Sequence, residues 1–533
     1  MKTYHNKKVF TIFILISLII SSCSKDFLDE TAYTDVTLDF IYTTPEGLDA
    51  AMVSLYNVHR SFISNNQHNS YRALVLPVKS DLAVVRVGEI GLFAWLRWGH
   101  SPYAYQGSLV HSFWKHYYKI IDRSNAIIKG AELSNEVSEE MKILLSEARV
   151  LRAEAYFTLY RMFNNIYVTT EPTSPDNAFE KIKDKSSEEE IFELIKSDLN
   201  YAEQHLPWTN TPGRVNLAMA KHINAKVSMW NQDWQGAINK TEDIFNSGFY
   251  SLMDNPADIF DGINNYGPRS SGAVNNETIF NFQFSNPTIG GGIKTMINWN
   301  FTANYGLVRG ATYSRDFGGR GAGWVFPNQY LLSLYDENDL RTKDIYFRLK
   351  FYFNDQPNLP AGVSVGDEIT NPVPFSSQWY QRLHPSCLKY QPFNSSNWDP
   401  NVGASQANFI VYRLAETYLI AAEAYMRLNG NSDSNALGYL NSIRTRSGVS
   451  PLNYVDQEVI LDERARELAF EGQRWYTLKR MGILYDRIVK YAGNDDYKNE
   501  ARTRMQPHYV NFPIPQNQLD LMDPAYPQND GYE

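Results

Sequence analysis

The sequence predicts a mostly α-helical protein of stacked, tetratricopeptide-like helix pairs, interrupted by one loop-rich insertion with short strands. Three observations predict it. Apolar residues recur at three-and-four spacing over most of residues 34–250 and again over 410–533. Two segments read as helical hairpins of about 34 residues, the period of a tetratricopeptide unit. Between them, residues 251–409 lose helical periodicity and gather glycine, proline and asparagine.

The elements follow in chain order. Thr44 is a candidate N-cap with Pro45 at the first helical position, and Leu48, Ala51, Met52, Leu55 and Tyr56 form one face. A second helical stretch covers about Phe113 to Lys129. Met141, Leu144, Leu145, Ala148, Leu151, Ala155 and Leu159 mark a long third one. Ser187 and Glu190 form a capping-box pattern ahead of Ile191, Leu194, Ile195, Leu199 and Ala202. The first hairpin spans Val215 to Asn246 and turns at Asn231-Gln232-Asp233; the second spans Ile410 to Arg446 and turns at Asn429-Gly430. In the insertion, Gly290-Gly291-Gly292 and Gly318-Gly319-Arg320-Gly321 break the chain, and a short helix is expected near Gln329 to Tyr335. Asp462 to Met481 reads as one charge-laced helix whose Glu and Arg residues support one another three or four apart and dock it on the repeats. Pro507 to Glu533 is expected to wrap over the surface.

The start of the chain carries a different signal. Lys2, Lys7 and Lys8 precede the apolar run Val9 to Ile20, which is followed by Ser21-Ser22 and Cys23. That order reads as a signal peptide over residues 1–22, too short to span a bilayer as a stable helix, with Cys23 as the lipid-attachment residue and 23–33 as a polar tether. Acyl chains contribute about 0.8 kcal/mol per buried methylene, so more than one gives durable anchoring. The other cysteine, Cys387, then has no partner in the chain, and the fold must rest on packing. Residues 1–22 hold three lysines and no acid, so their removal takes the formal charge from −9 to −12. An acidic body argues against nucleic acid, whose affinity is mostly phosphate neutralisation.

Aromatic residues make up 14% of the chain, with 11 Trp and 35 Tyr, a surplus that suits both a core and a sugar-binding face. The candidates are Trp95, Arg97 and Trp98 after Asp81, and Trp299, Asn300, Tyr305, Tyr313, Arg315 and Trp324 in the insertion. Rings would take the C–H faces of sugars; Arg97, Asn300 and Arg315 would take hydroxyls or carboxylates. Core packing suits each ring equally, and Trp324 above all, because it leads into Phe326-Pro327 and a helix.

Other chemistries find less support. His111 and His116 are five apart, not the four of a helical zinc pair, and His100 lies in a loop-like segment. No GxSxG or Walker-type motif occurs, and Gly318 to Gly323 lacks the strand-then-helix frame of a phosphate loop. Asp336 and Glu337 would serve glycoside hydrolysis only at a set separation in a cleft. No catalytic residue and no cofactor is expected, with a loop-steadying calcium ion left open.

Several segments together carry a family likeness. Cys23-Ser24-Lys25-Asp26, EARVLRAEAYFTLYR at 147–161, YRLAETYLIAAEAYMRLN at 412–429, LNSIRTRSG at 440–448 and ERARELAFEGQRWYTLKRMG at 463–482 resemble, in that order, the SusD/RagB outer-membrane lipoproteins. The resemblance implies a scaffold of four tetratricopeptide-like pairs with the ligand side in the 251–409 region. It also implies anchorage at the outer membrane and exposure at the cell surface. It further implies an oligosaccharide ligand and a partner, a SusC-like TonB-dependent transporter over which the lipoprotein sits as a hinged lid. A peptide-binding RagB-like role is the alternative, followed by a surface glycosidase and a structural scaffold.

Overall fold

The computed structural model describes residues 38–64, 72–86, 109–134, 136–209, 212–260, 275–284, 295–370, 381–390, 403–405, 407–495 and 500–532. Cys23 and the tether lie outside these residues. Helix is the dominant secondary structure, at 53% of the described residues.

Helix α1 (Pro45–Arg60) starts where the sequence places it. The Thr44 side chain accepts a hydrogen bond from Gly47 N and Pro45 fills the first position, where a missing N–H costs nothing. After α2 (Arg72–Val78) and strand β1 (Ala83–Val85), the long helices α3 (Leu109–Ala131) and α4 (Glu139–Phe163) pack together, and α5 (Glu188–His205) packs on the far side of α4. Helix α4 is therefore enclosed, and its middle is buried all round from Val150 to Phe163. Ser187 caps α5 by accepting from Glu190 N at 3.1 Å.

Helices α6 (Leu217–Trp230) and α7 (Trp234–Asn246) form the first expected hairpin, with Gln232 in the left-handed region at its turn. The next helix, α8 (Leu414–Asn429), packs on α7 and then on α9 (Ser434–Arg446), so hairpins from both ends of the sequence join in one stack.

Two expectations are corrected. The second hairpin does not begin as helix at Ile410: Phe409–Arg413 is strand β6, paired antiparallel with β2 (Thr278–Phe282). Ile410 and Val411 are β-branched and the burial alternates, which suits a ladder better than a helix turn. The charge-laced helix is two: α10 (Gln457–Leu468) and α11 (Arg474–Arg480). Phe470 and Gly472 take positive φ between them, and the Glu467 and Ala469 carbonyls accept from Lys389 Nζ instead of continuing the helix. Helix α12 (Leu484–Tyr491) follows.

The insertion is irregular, as expected, with the short helix at Gln329–Ser333. Strand β3 (Val325–Pro327) pairs antiparallel with β1, and β4 (Phe347–Arg348) with β5 (Ser386–Cys387). A small core of its own gathers Val84, Ala303, Tyr305, Val308, Phe326 and Phe351. The last residues wrap back on the end of α4: Phe512 N donates to Met162 O, and Asn529 Nδ2 donates to the carbonyls of Phe163 and Phe512. Cys387 is a free, buried thiol, its pKa pushed up to about 12 by burial. Among the described residues no helix is long and apolar enough to cross a membrane.

What docks the insertion on the helices is a buried ionic cluster. Arg413 donates to Glu277, Glu467 and Glu471; Arg341 donates to Asp339, Glu463 and Glu467; Arg446 reaches Glu277 and Glu467. The i,i+3 pairing expected along the helix survives only in part, as Glu463 with Arg466. The remaining partners come from other elements, because these acids face inward and can be neutralised only from across the interface.

Candidate functional site

The site is built where β1 and β3 meet. Asp81, fully buried, receives a two-pronged hydrogen bond from Arg474 (2.8 and 2.7 Å) and one from Arg487 (3.1 Å). That ties the start of β1 to α11 and α12. Arg86, one residue past β1, donates its backbone N–H to Trp324 O (2.9 Å) and its Nη1 to Ala322 O (3.1 Å). Its guanidinium lies 4.3 Å from the centre of the Trp324 ring, within cation–π range. Trp95, Arg97 and Trp98 follow in sequence and lie outside the described residues.

Glycines bring the rest together. Gly321 passes so close to the chain at Thr302 that a Cβ would sit 1.9 Å from the Thr302 carbonyl oxygen. The approach is held by Ala322 N donating to Trp299 O, Gly323 N to Thr302 O and Trp324 N to Asn300 O. The glycine-rich run is thus a close-packing device that sets Arg320 beside Trp299.

Arg320 is the centre of the cluster. Its guanidinium lies 5.2 Å from the Trp299 ring centre and 5.8 Å from that of Tyr313. The other flank of Trp299 rests on Gly403, where a Cβ would come within 1.9 Å of Cε3. Gly306 backs Tyr313 in the same way, and the Tyr313 hydroxyl donates to Asn304 Oδ1. Trp299 and Tyr313 are half-buried, as is Arg315 on its short 3-10 turn. The Trp299 Nε1 donor and both polar atoms of Asn298 are buried without a hydrogen-bond partner among the described residues. The sequence reading missed Arg320, although its place among glycines and four residues before Trp324 is a readable signal.

Three candidates belong to packing instead. Tyr305 is fully buried in the small core, stacked on Phe351, and its hydroxyl accepts from Ser314 N and donates to Ser314 O. Asn300 is fully buried, so it cannot meet a sugar hydroxyl at the surface. Trp324 is nearly buried, at 9% exposure, with Arg86 over its face. Asn300 is turned inward by the short helix Ile297–Phe301, Tyr305 opens the 3-10 turn Tyr305–Leu307, and Trp324 leads directly into β3.

Acid–base chemistry has little to work with. Asp336 and Glu337 are both exposed, and among the described residues no group of three His, Cys, Asp or Glu could hold a metal ion. His116 is buried among rings and half-buried His111 sits on α3, while His100 lies outside the described residues.

Comparison with known proteins fits this geometry. Residues 375–532 match the model of the SusD family, and residues 26–220 match a second model described as starch-binding associating with outer membrane. The chain belongs to the SusD family. This SusD-family chain is 25% identical over 546 residues to the SusD-like protein P25 of Formosa agariphila, covering 96% of this chain and 97% of that protein. It is 33% identical over 126 residues to the starch-binding protein SusD of Bacteroides thetaiotaomicron, 23% of this chain and 21% of that one. Among solved structures, the surface glycan-binding protein A of Bacteroides thetaiotaomicron in complex with laminarihexaose has the same fold. Its TM-score is 0.69 at 21% identity, with 91% of this SusD-family chain and 99% of that chain covered.

Proposed function

We propose that this SusD-family protein is a lipid-anchored glycan-binding protein of the outer membrane, exposed at the cell surface. It captures an oligosaccharide there and passes it to a SusC-like TonB-dependent transporter. The observation that carries the reading is the Trp299–Arg320–Tyr313 cluster. Two half-buried rings hold a guanidinium in place, and Arg86, over Trp324, directly precedes in sequence the stretch that includes Trp95, Arg97 and Trp98. Such a face binds sugars by ring contact and by the guanidinium fork, which spans adjacent hydroxyls or one carboxylate. The role we propose is binding and hand-over, not bond cleavage.

Affinity gel electrophoresis against a panel of soluble polysaccharides, laminarin and starch among them, tests the reading. At least one is expected to retard the protein and to come through long incubation unhydrolysed. Trp299→Ala and Arg320→Ala are each expected to weaken retention about tenfold or more while leaving the melting temperature within a few degrees, as central interface residues do. Unchanged retention in both variants would remove the cluster from the site.

Anchorage has its own test. Labelled palmitate is expected to enter the wild-type protein and not Cys23→Ala, which is expected in the soluble fraction. Equal labelling of the two would overturn the lipid-anchor reading without touching glycan capture.

A further inference from the structure

A second cavity lies inside the helical body, and none of Trp299, Tyr313, Arg320 or Trp324 lines it. It has a volume of about 120 Å³ and sits between α1, α2, α3, α4, strand β6 and the turn from Phe470 to Tyr476. Its walls are rings: Phe62, Tyr117, Tyr390, Phe409 and Tyr476. Tyr390 and Phe409 stack with planes 7° apart, so one wall is a flat aromatic surface.

Two guanidiniums face this space. Arg72 donates to Ser112 Oγ and to the Ser61 and Phe62 carbonyls. Arg161, 5% exposed and held between the Phe157 and Tyr476 rings at 3.9 and 3.8 Å, donates Nε to Phe157 O and Nη2 to Thr158 Oγ1. These acceptors are all neutral, and neither arginine has a carboxylate within ion-pairing distance among the described residues. The Arg161 Nη1 donors remain unused. The acids that line the cavity are already engaged: Glu154 by His59 Nε2 and the Tyr412 hydroxyl, Glu471 by Lys389 and Arg413. His59, 5% exposed, also lines the cavity, and its Nδ1 is buried without a partner.

Two guanidiniums without a carboxylate partner, set in aromatic walls, favour an anion with a flat apolar body. We infer that this cavity is a second ligand site, for a small organic carboxylate whose other end is an aromatic ring or the C–H face of a sugar. Arg72 and Arg161 take the carboxylate, and the Tyr390–Phe409 wall takes the flat body.

The full chain in detergent, titrated with benzoate and separately with galacturonate, tests this by calorimetry and thermal melting. Benzamide and galactose serve as uncharged counterparts. At least one carboxylate is expected to bind saturably and raise the melting temperature while its counterpart does not; which one binds distinguishes the aromatic acid from the sugar acid. Arg72→Gln is expected to weaken binding about tenfold, the loss of one charge-assisted hydrogen bond. Ala73→Leu, which fills the cavity from half-buried Ala73 on α2, is expected to abolish binding with the unliganded fold intact by circular dichroism. Equal effects from carboxylate and counterpart, no binding of either acid at millimolar concentration, or full binding in Ala73→Leu would each overturn the proposal. Glycan retention in gels is read separately, so this site and the Trp299 cluster stand or fall independently.

Discussion

Glu467→Ala is expected to lower the stability of the folded chain by about 3–5 kcal/mol, the cost of leaving buried charges without their partner. The side chain is fully buried and accepts from Arg413, Arg446, Arg341 and the Tyr346 hydroxyl, while its backbone oxygen accepts from Lys389 and Arg413. Alanine keeps the backbone bonds and takes one carboxylate from each of three buried guanidiniums, leaving Arg446 with Glu277 alone. A denaturant melt should show the midpoint falling steeply. A change under about 1 kcal/mol would mean that water or neighbouring acids rescue the arginines.

Acid should produce a milder form of the same damage in the wild type. Burial alone would raise the pKa of Glu467, but Arg446, Arg413 and Arg341 outweigh it and hold the carboxyl well below the ordinary 4.5. Glu463 and Glu416 are lowered by the same balance of burial against nearby cations. A carboxyl depressed in the folded state contributes stability that is fully present above its unfolded pKa, about 4.3, and is lost as pH falls through the folded value. The melting temperature is therefore expected to begin falling below about pH 6.5, where the unfolded chain takes up protons that buried His384, His116 and His222 resist. Glu147, whose pKa burial raises to about 7, offsets this in part, and the drop steepens below about pH 4 as the carboxyls follow. With one such carboxyl fewer, Glu467→Ala should show a shallower drop.

Asp81→Ala is the second large effect, again about 3–5 kcal/mol, because Arg474 and Arg487 are both buried and both bond this carboxylate. It differs from Glu467→Ala in where the damage lands. Asp81 pins the strand that carries Arg86 to Trp324, so glycan retention is expected to fall even at temperatures where the variant remains folded. Retention equal to wild type in the folded variant would uncouple the strand from the glycan face.

How far the sequence could be read depended on whether the cause was local. Thr44 with Pro45, Ser187 with Glu190, and the spacing along α4 act within one turn of helix, and each is legible from neighbouring residues. The fate of Ile410 and Val411 depended on β2, more than a hundred residues away, so a helical run continued backwards looked equally sound until the partner strand was known. The break at Phe470 was hidden for the same reason: Lys389 and Arg413 take the carbonyls that would have continued the helix. At the proposed glycan face, Trp299, Tyr313 and Arg315 were readable as residue types in an irregular region. Exposure was not. Tyr305 and Asn300 share that composition and still point inward, because a one-turn helix offers no periodicity from which to tell its faces. Arg320 went unseen because its meaning lies in two rings, one of them 21 residues upstream.

The ionic cluster also sets an order of events during synthesis. Its members come from Glu277, Arg341, Arg413, Arg446 and Glu467, and the end of α4 is closed by Asn529, four residues from the last. Early helices can form as they emerge, but their junction stays open until Glu467 and Asn529 have been made. Contacts so distant in sequence close slowly. Such a chain makes its helices first and joins them last.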